Sequence, residues 1–265
     1  MTKYISSLQN PLIKNILLLE EKPRERKQQN LAVIEGLREV RLAISSGFTV
    51  PMILFCPEFL EPGESDRLHG MESSFELAEI TPEIFNRLAY RKDSGGILAT
   101  VVPKRLLFQD LHPGPRPLYL VLETVEKPGN LGALLRTADA ANLEGVIICD
   151  PQTDIYNPNA IRSSLGCIFT MPVVTGSTGD TIAWLRSNHI RSFGTALTAT
   201  RFYHEADYRQ PAAIIMGSEA QGLSQKWLDE ADELVKIPMQ GKVDSMNVSA
   251  SAAIVVFEAL RQRGF

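Results

Sequence analysis

The sequence predicts an α/β protein in two parts, the larger of which is a parallel sheet with helices on both faces. Its 265 residues are 44% hydrophobic and 22% charged, as in ordinary globular proteins. After about residue 107, short fully apolar runs alternate with segments of helical spacing, which is the pattern of a buried parallel sheet. Residues 111–117, LHPGPRP, form a turn-rich boundary. We therefore expect one domain over residues 1–106 and a second over residues 107–265.

The sequence of the first part predicts a small α/β unit that follows an N-terminal helix. Helical spacing of leucine and isoleucine spans residues 8–20, and Asn10-Pro11 is a candidate start for that helix. Thr81-Pro82 has the cap and first-turn proline of another helix start. The apolar runs that predict strands are residues 32–34, 50–55 and 97–102.

The second part repeats strand and helix more regularly. Expected strands cover residues 118–122, 145–149, 193–197, 212–216 and 233–237, with extended chain at 168–174. Expected helices cover residues 130–142, 157–165, 181–188 and 247–263.

Composition excludes several classes of protein. No apolar run reaches the roughly 18 residues of a membrane span, and the N-terminal MTKYISSLQNPLIK lacks an apolar signal core. Three isolated cysteines without a CxxC pair argue against disulfides and zinc, and predict a reducing cytoplasm with no metal. The four histidines lie outside the three loops described next.

The first unusual loop, ETVEKPGNLGALLR, follows the strand at residues 118–122. Pro128-Gly129 predicts a tight turn, and Asn130 is a candidate cap of the next helix. Arg136 lies six residues later on a mostly apolar stretch. Taken alone, it is either a salt-bridged arginine beside a packed surface or a functional one.

The second loop, IIMGSEAQGLS, leaves another buried strand. Gly217 and Gly222 allow the backbone to approach a ligand closely. Glu219 is either an acid at a helix start or a functional carboxylate. Both loops are expected at the carboxyl ends of parallel strands, where ligands of such sheets bind.

The third loop, VKIPMQGKVDSMNVSAS, opens the last helix with small residues. Such a start indicates tight packing, either through a loop or beneath a ligand. Ser245 considered alone is most simply a helix N-cap.

In order and spacing, these three loops resemble the motifs of the SpoU (TrmH-like) branch of the SPOUT RNA methyltransferases. NLGALLRTADA is similar to the first motif, IIMGSEAQGLS to the second and VKIPMQGKVDSMNVSASAAI to the third. The resemblance covers about residues 118–263, and Met246 stands where the family usually has leucine, a nearly volume-conserving change. The segment VIEGLREVRLAI is similar to the ribosomal-protein-L30e-like substrate-binding domain of many members.

The resemblance implies an enzyme that moves a methyl group from S-adenosylmethionine to a ribose 2′-hydroxyl in RNA, with ribosomal RNA favoured over transfer RNA as the substrate. It implies a C-terminal trefoil knot, in which residues 240–265 pass through a loop of about 190–235, and a homodimer whose first motif completes the partner's site. The implied catalytic residues are Asn130, Arg136, Glu219, Ser245 and Asn247. The implied cofactor-binding residues are Gly217, Ile237, Met246, Leu197 and Met239.

Within these catalytic roles, we expect Arg136 to position a phosphate and stabilise developing oxyanion charge, because guanidinium is a poor base. Asn130 orients the substrate and Glu219 holds the polar network, while Ser245 and Asn247 fix the loop and the hydroxyl.

Two alternative functions would require different residues. A catalytically silent RNA-binding module of the same fold would be free to lose some of the five polar residues, and this chain has all five. A nicotinamide-dependent oxidoreductase would carry a GxGxxG turn, which follows none of the predicted strands.

Charge distribution suggests where RNA binds. The net charge is −4, yet residues 1–30 carry six basic side chains against three acidic ones. We expect residues 1–105 to hold the RNA through two groups of residues, although both are equally compatible with ordinary solvated charges. The first group is Lys22, Arg24, Arg26 and Lys27, and the second is Arg87, Arg91 and Lys92 beside Tyr90.

Overall fold

The structure, a computed structural model, describes residues 2–70, 75–90 and 95–264. The chain divides into two compact units. The first unit comprises residues 1–104 and 156–170, and the second comprises residues 105–155 and 171–265. Sequence reasoning placed residues 156–170 in the second part, whereas they pack within the first unit. The functional domains at 1–106 and 107–265 stay a prediction.

The elements are numbered in chain order over the described residues. The strands are β1 (Lys3–Ile5), β2 (Ala32–Glu35), β3 (Met52–Phe55), β4 (Glu76–Ile80), β5 (Ile97–Val101), β6 (Leu118–Glu123), β7 (Gly145–Cys149), β8 (Val173–Gly176), β9 (Arg191–Thr195), β10 (Arg201–Phe202), β11 (Ala212–Met216) and β12 (Glu233–Lys236). The helices are α1 (Pro11–Glu21), α2 (Pro23–Gln29), α3 (Leu37–Ser45), α4 (Glu64–Gly70), α5 (Pro82–Leu88), α6 (Pro128–Ala140), α7 (Pro158–Ser163), α8 (Cys167–Thr170), α9 (Thr178–Ser187), α10 (Gln225–Glu230) and α11 (Val248–Arg263).

The first unit contains a mixed five-stranded sheet in the order β1-β4-β3-β5-β2. The β4 strand is parallel to β1 and β3, whereas β5 is antiparallel to β3 and β2. Helix α1 begins where Asn10-Pro11 predicts, since the Asn10 side chain accepts a hydrogen bond from the Leu12 amide at 2.9 Å. Its buried face, Ile13, Ile16 and Leu19, joins the core of this unit.

The first group of cations expected to hold RNA lies on helix α2 and at its N-cap, Lys22, and one of the four is not available to RNA. The Arg26 side chain is buried, and its Nη1 donates to the carbonyl oxygens of Leu19 at 2.6 Å and Glu20 at 3.0 Å. Arg26 therefore satisfies backbone acceptors at the end of α1, and its prediction as a phosphate contact is wrong. Lys22, Arg24 and Lys27 are exposed.

The second unit contains a seven-stranded sheet in the order β10-β12-β9-β11-β6-β7-β8. Every neighbouring pair is parallel, and β6, β7 and β11 are buried along their whole length. The continuous apolar runs therefore correspond to central strands, and the predicted parallel α/β fold is confirmed.

Three local predictions for this region are corrected. Helix α6 starts at Pro128 with Lys127 as its N-cap, so Asn130 lies in the first turn instead of capping it. Residues 168–170 are helical and not extended, because the chain turns through positive φ at Leu165 and Gly166 before α8. Asn247, and not Ser245, caps α11, with its side chain accepting from the Ser249 amide at 3.0 Å.

Two further observations concern the chain as a whole. Over the described ranges, no helix is both long and apolar enough to cross a bilayer. The knot in the C-terminal segment stays a prediction.

Candidate active site

A cavity of about 700 Å³ lies in the second unit where strands β9, β11 and β12 end. It is lined by residues 195–198, 216–223 and 235–237, each of which follows or ends one of these strands. The start of α11 and Asn130 of α6 complete the wall. This is the edge of a parallel sheet at which ligands bind, because loops from adjacent strands converge there.

The residues expected to bind the cofactor all line this cavity. Ile237 and Met239 are half-buried, whereas Leu197 and Met246 are exposed large apolar side chains. Gly217 contributes backbone at the end of β11. These side chains offer apolar surface to the cavity, which suits a flat heteroaromatic ligand.

Gly217 is required by the loop itself. The Ser218 and Gly222 amides and carbonyl oxygens exchange two hydrogen bonds of 3.0 Å, which closes residues 218–222 into a tight turn. A Cβ atom at Gly217 would lie 2.1 Å from the carbonyl carbon of Gly222. The close approach expected at this glycine is thus an approach of the loop's own backbone.

Three side chains from distant parts of the sequence form a continuous polar network at the cavity. The Asn130 Nδ2 donates a short hydrogen bond to Glu219 Oε1, and the Asn247 Nδ2 donates to Asn130 Oδ1 at 3.1 Å. Among the described residues, the buried Glu219 Oε2 has no hydrogen-bond partner. Because an unsatisfied buried carboxylate oxygen is costly, this atom is suited to accept a donor from a ligand.

The two remaining candidate catalytic residues differ in position. Ser245 lines the cavity, is exposed, and donates from its Oγ to Asp244 Oδ1 at 3.3 Å. Arg136 is exposed on α6 and is not among the residues that line the cavity. Six helical residues separate it from Asn130, a rotation of about 240° and a rise of about 9 Å. One chain therefore brings together Asn130, Glu219, Ser245 and Asn247, and leaves Arg136 apart.

Comparison with known proteins decides the family. The SpoU rRNA methylase family matches residues 117–257, more than half of the chain and all three loops at the cavity. The chain belongs to the SpoU rRNA methylase family. The MRM3-like substrate binding domain matches residues 10–99. The resemblance drawn from the three motifs is confirmed.

Individual relatives of this SpoU methylase match along almost its whole length. An uncharacterised tRNA/rRNA methyltransferase of Synechocystis is 32% identical, covering 98% of this chain and 94% of the relative. A 23S rRNA (guanosine-2′-O)-methyltransferase of Bacillus subtilis is 29% identical, covering 96% of this chain and 98% of the relative. The structure of an AdoMet-bound rRNA methyltransferase from Sinorhizobium meliloti has a TM-score of 0.90 at 28% identity, covering 98% of each chain.

Sequence reasoning missed one residue of the SpoU methylase that organises the site. Glu123, the last residue of β6, is buried; its Oε2 accepts from the Ser224 amide at 2.7 Å and its Oε1 from Thr178 Oγ1 at 3.1 Å. It thus fixes the end of the Gly217–Ser224 loop to the sheet. The signal was a glutamate directly continuous with a fully apolar strand, a place where an acid needs a specific partner.

The buried thiol nearest this end of the sheet is unsuited to nucleophilic chemistry. Burial raises the pKa of Cys149 to about 12, and its Sγ lies 3.1 Å from Thr181 Oγ1. The thiol stays protonated at neutral pH, so it is not the attacking thiolate that covalent cysteine catalysis requires. In the described part of the chain, no group of histidine, cysteine, aspartate and glutamate has the arrangement of a metal site.

Proposed function

We propose that this SpoU methylase transfers a methyl group from S-adenosylmethionine to a ribose 2′-hydroxyl of ribosomal RNA. The observation that carries the proposal is the Asn130–Glu219–Asn247 network at the cavity, because it places an arranged set of polar groups beside an apolar pocket. The Bacillus subtilis relative is named for 2′-O-methylation of 23S rRNA, and the Sinorhizobium meliloti structure holds AdoMet.

The cavity fits the proposed cofactor. Its volume of about 700 Å³ is in the range of small-molecule sites, and the side chains of Ile237, Met239 and Met246 suit the face of a purine. The Glu219 Oε2, which has no partner within the described ranges, supplies a carboxylate acceptor.

S-adenosylmethionine, when bound, supplies an activated methyl group. For their part, the protein's residues must align the ribose oxygen and stabilise its charge as the hydroxyl proton leaves. Asn130 is held by Glu219 on one side and by Asn247 on the other, so its amide is oriented before RNA arrives. We assign Asn130 to orienting the substrate, Glu219 to holding the network, and Ser245 and Asn247 to fixing the loop and the hydroxyl.

In this proposal, Arg136 acts at the cavity of a second copy of the chain. It is exposed and lies away from its own cavity, whereas an arginine that positions phosphate must reach the substrate. A homodimer in which α6 of one subunit faces the cavity of the other would supply it.

Complementation between impaired variants tests this arrangement. Arg136→Ala and Asn130→Ala homodimers should each transfer methyl about 100-fold more slowly than the parent, since each lacks one needed group in both sites. After mixing and subunit exchange, about one quarter of all sites should recover every group if Arg136 acts on its partner's site. No recovery in mixtures that sedimentation shows to have exchanged would contradict the assignment.

We also propose that the first unit holds the RNA, in the cytoplasm. Its match to a substrate binding domain supports this, and Lys22, Arg24 and Lys27 are exposed cations on α2 and at its start. Of the second group of cations, Arg87 is exposed, while Arg91 and Lys92 lie outside the described residues. Replacing Lys22, Arg24 and Lys27 by glutamine should weaken RNA binding and flatten its salt dependence, without changing cofactor affinity. If the salt dependence of RNA binding were unchanged, the phosphate-binding surface would have to lie elsewhere on the protein.

Methyl transfer from tritiated cofactor tests the proposed activity itself. The full chain would be incubated with separated, unmodified ribosomal and transfer RNA. Label is expected in the ribosomal fraction. Cofactor and RNA binding without label in either fraction would instead identify the silent RNA-binding module.

A further inference from the structure

The first unit has a highly exposed aromatic ring, Tyr90, that packs against an arginine. Tyr90, which follows α5, is 77% exposed, and its ring lies 3.9 Å from the guanidinium carbon of Arg162. Arg162 belongs to α7, which packs against β2 in the same unit. One face of the ring thus rests on a cation, and the exposed fraction leaves the other face to solvent.

The arginine under this ring is itself fixed. The Arg162 Nη2 donates to Glu35 Oε2 at 3.1 Å, and the side chains are 12% and 9% exposed, respectively. The same Glu35 oxygen accepts from the Tyr90 backbone amide at 3.2 Å. A single carboxylate therefore ties the arginine to the backbone of the tyrosine that covers it.

This arrangement removes much of the conformational freedom of an exposed side chain. A tyrosine with one face packed on a planar, salt-bridged guanidinium keeps its ring in a defined plane. A planar partner that stacks on the free face then loses less entropy on binding than it would against a mobile ring. The ring is therefore a preformed platform.

The charges around the ring favour a nucleic acid over an apolar partner. Arg87 and Arg162 both act on the carboxyl of Glu20, and burial raises the pKa of that carboxyl to about 8. At pH 7 the Glu20 carboxyl is therefore mostly protonated and adds little negative charge near the two arginines. An exposed aromatic face that rests on an arginine is a common combination in single-stranded RNA sites.

We infer that Tyr90, held on Arg162 and Glu35, stacks an unpaired base of the RNA substrate. This inference rests on the proposed function and adds to it one point of contact and one substrate property: a nucleotide outside a duplex. Arg162 is a positioning residue in this scheme, because it acts on RNA through the ring.

A fluorescent RNA tests the inference directly. The probe is a single-stranded octanucleotide with 2-aminopurine at its centre, whose emission falls when the base stacks, and the matched control is the same strand paired with its complement. The parent protein should bind the single strand more tightly and quench its emission. Tyr90→Ala should lose about 10-fold in affinity for the single strand, together with the quenching, because stacking of one base is worth about 1–3 kcal/mol. Tyr90→Phe should keep both.

Two controls separate stacking from loss of fold and from phosphate binding. Tyr4→Ala removes another exposed tyrosine, 66% exposed, from the same unit and should change neither affinity nor quenching. In Tyr90→Ala, the salt slope, cofactor affinity and melting temperature should match those of the parent. Arg162→Lys, which retains the charge but loses the planar support, should weaken quenching by Tyr90.

The outcomes are distinguishable. Equal single-strand affinity and quenching in the parent and Tyr90→Ala would overturn the inference and leave the proposed methyl transfer intact. A fall in melting temperature without a change in RNA binding would also overturn it, since the ring would then only cover the ion pair. If the parent protein neither bound RNA nor transferred methyl to it, the proposed function would be wrong, and this inference would be wrong with it.

Discussion

The cavity of the second unit and the Tyr90 surface of the first are built in different ways. At the cavity, Asn130, Glu219 and Asn247 arrive from three segments far apart in sequence and bond to each other. At Tyr90, one ring is fixed on its inner face and open on its outer face. The first design fixes the relative positions of several groups, as chemistry requires, while the second fixes only a plane, which is sufficient for stacking bases of different identity.

The largest effect is expected from filling the space at Gly217, which should disrupt the cavity of the second unit and leave the Tyr90 surface unchanged. Gly217→Ala places a methyl group 2.1 Å from backbone of Gly222, so the 218–222 turn must open. We expect the free energy of unfolding to fall by about 3 kcal/mol and cofactor binding to weaken strongly. Chemical denaturation and calorimetry measure the two quantities. Gly241→Ala, where a Cβ meets nothing within 4 Å, is the stability control and should melt like the parent.

Removing the central amide of the network should impair chemistry more than binding. Asn130→Ala leaves Glu219 without its donor and Asn247 without its acceptor. Single-turnover transfer should slow by about 100-fold, with cofactor affinity within a few-fold of the parent. If the rate were instead unchanged at saturating RNA, the network would be structural and the assignment of Asn130 wrong.

A substitution at Glu123 tests whether this residue positions the cavity loop or contacts the substrate itself. Glu123→Gln replaces one acceptor oxygen of the carboxylate by an amide nitrogen, which cannot accept from the Ser224 amide or the Thr178 hydroxyl. We expect a loss of about 1–3 kcal/mol in the free energy of unfolding and a raised KM for the cofactor. A lower transfer rate with unchanged stability would instead indicate that Glu123 meets the substrate.

The last effect appears only as the pH is raised and concerns the stability of the first unit. The pKa of Glu20 is raised from 4.5 to about 8, first by burial and then by Glu35, against the opposing effects of Arg162 and Arg87 and with a small contribution from Glu21. Between these pH values the folded chain keeps a proton that the unfolded chain has lost, so stability from this group falls as pH rises.

Glu20→Gln should therefore unfold at higher temperature than the parent at pH 9 and at a similar temperature near pH 4.5. The matched control is Glu21→Gln on the exposed side of the same helix, which should unfold at a temperature close to that of the parent at both pH values. Parallel melting curves of Glu20→Gln and parent at every pH would contradict the buried, protonated carboxyl.

Most of the fold was accessible from sequence because the central strands are buried on both faces. Residues 118–122, 145–149 and 212–216 are uninterrupted apolar runs, and each is a central strand. The edge strands β1 and β10, of three and two residues, have no such pattern and were missed. Short apolar runs are also ambiguous between strand and helix, which is why residues 168–170 were predicted as extended but form α8.

The candidate site was predictable in its composition but not in its connections. The three motifs supplied Asn130, Glu219, Ser245 and Asn247, and the structure brings these residues to one cavity. Nothing in the spacing showed that Asn130 would bond to both Glu219 and Asn247, or that Arg26 would turn inward to the end of α1. Such facts depend on contacts between residues far apart in sequence, or on the rotamer that packing selects. For the same reason, the contact between Arg162 and Tyr90 had no sequence signal.

If the ribose hydroxyl is the methyl acceptor, the methylated nucleoside must carry the new group on its sugar. Unmodified ribosomal RNA would be treated with the parent or Asn130→Ala and labelled cofactor, then digested to nucleosides and separated by mass. We expect a single 2′-O-methylated nucleoside with the parent and about 100-fold less of it with Asn130→Ala under single-turnover conditions. Label on a base, or equal label from the two proteins, would contradict it.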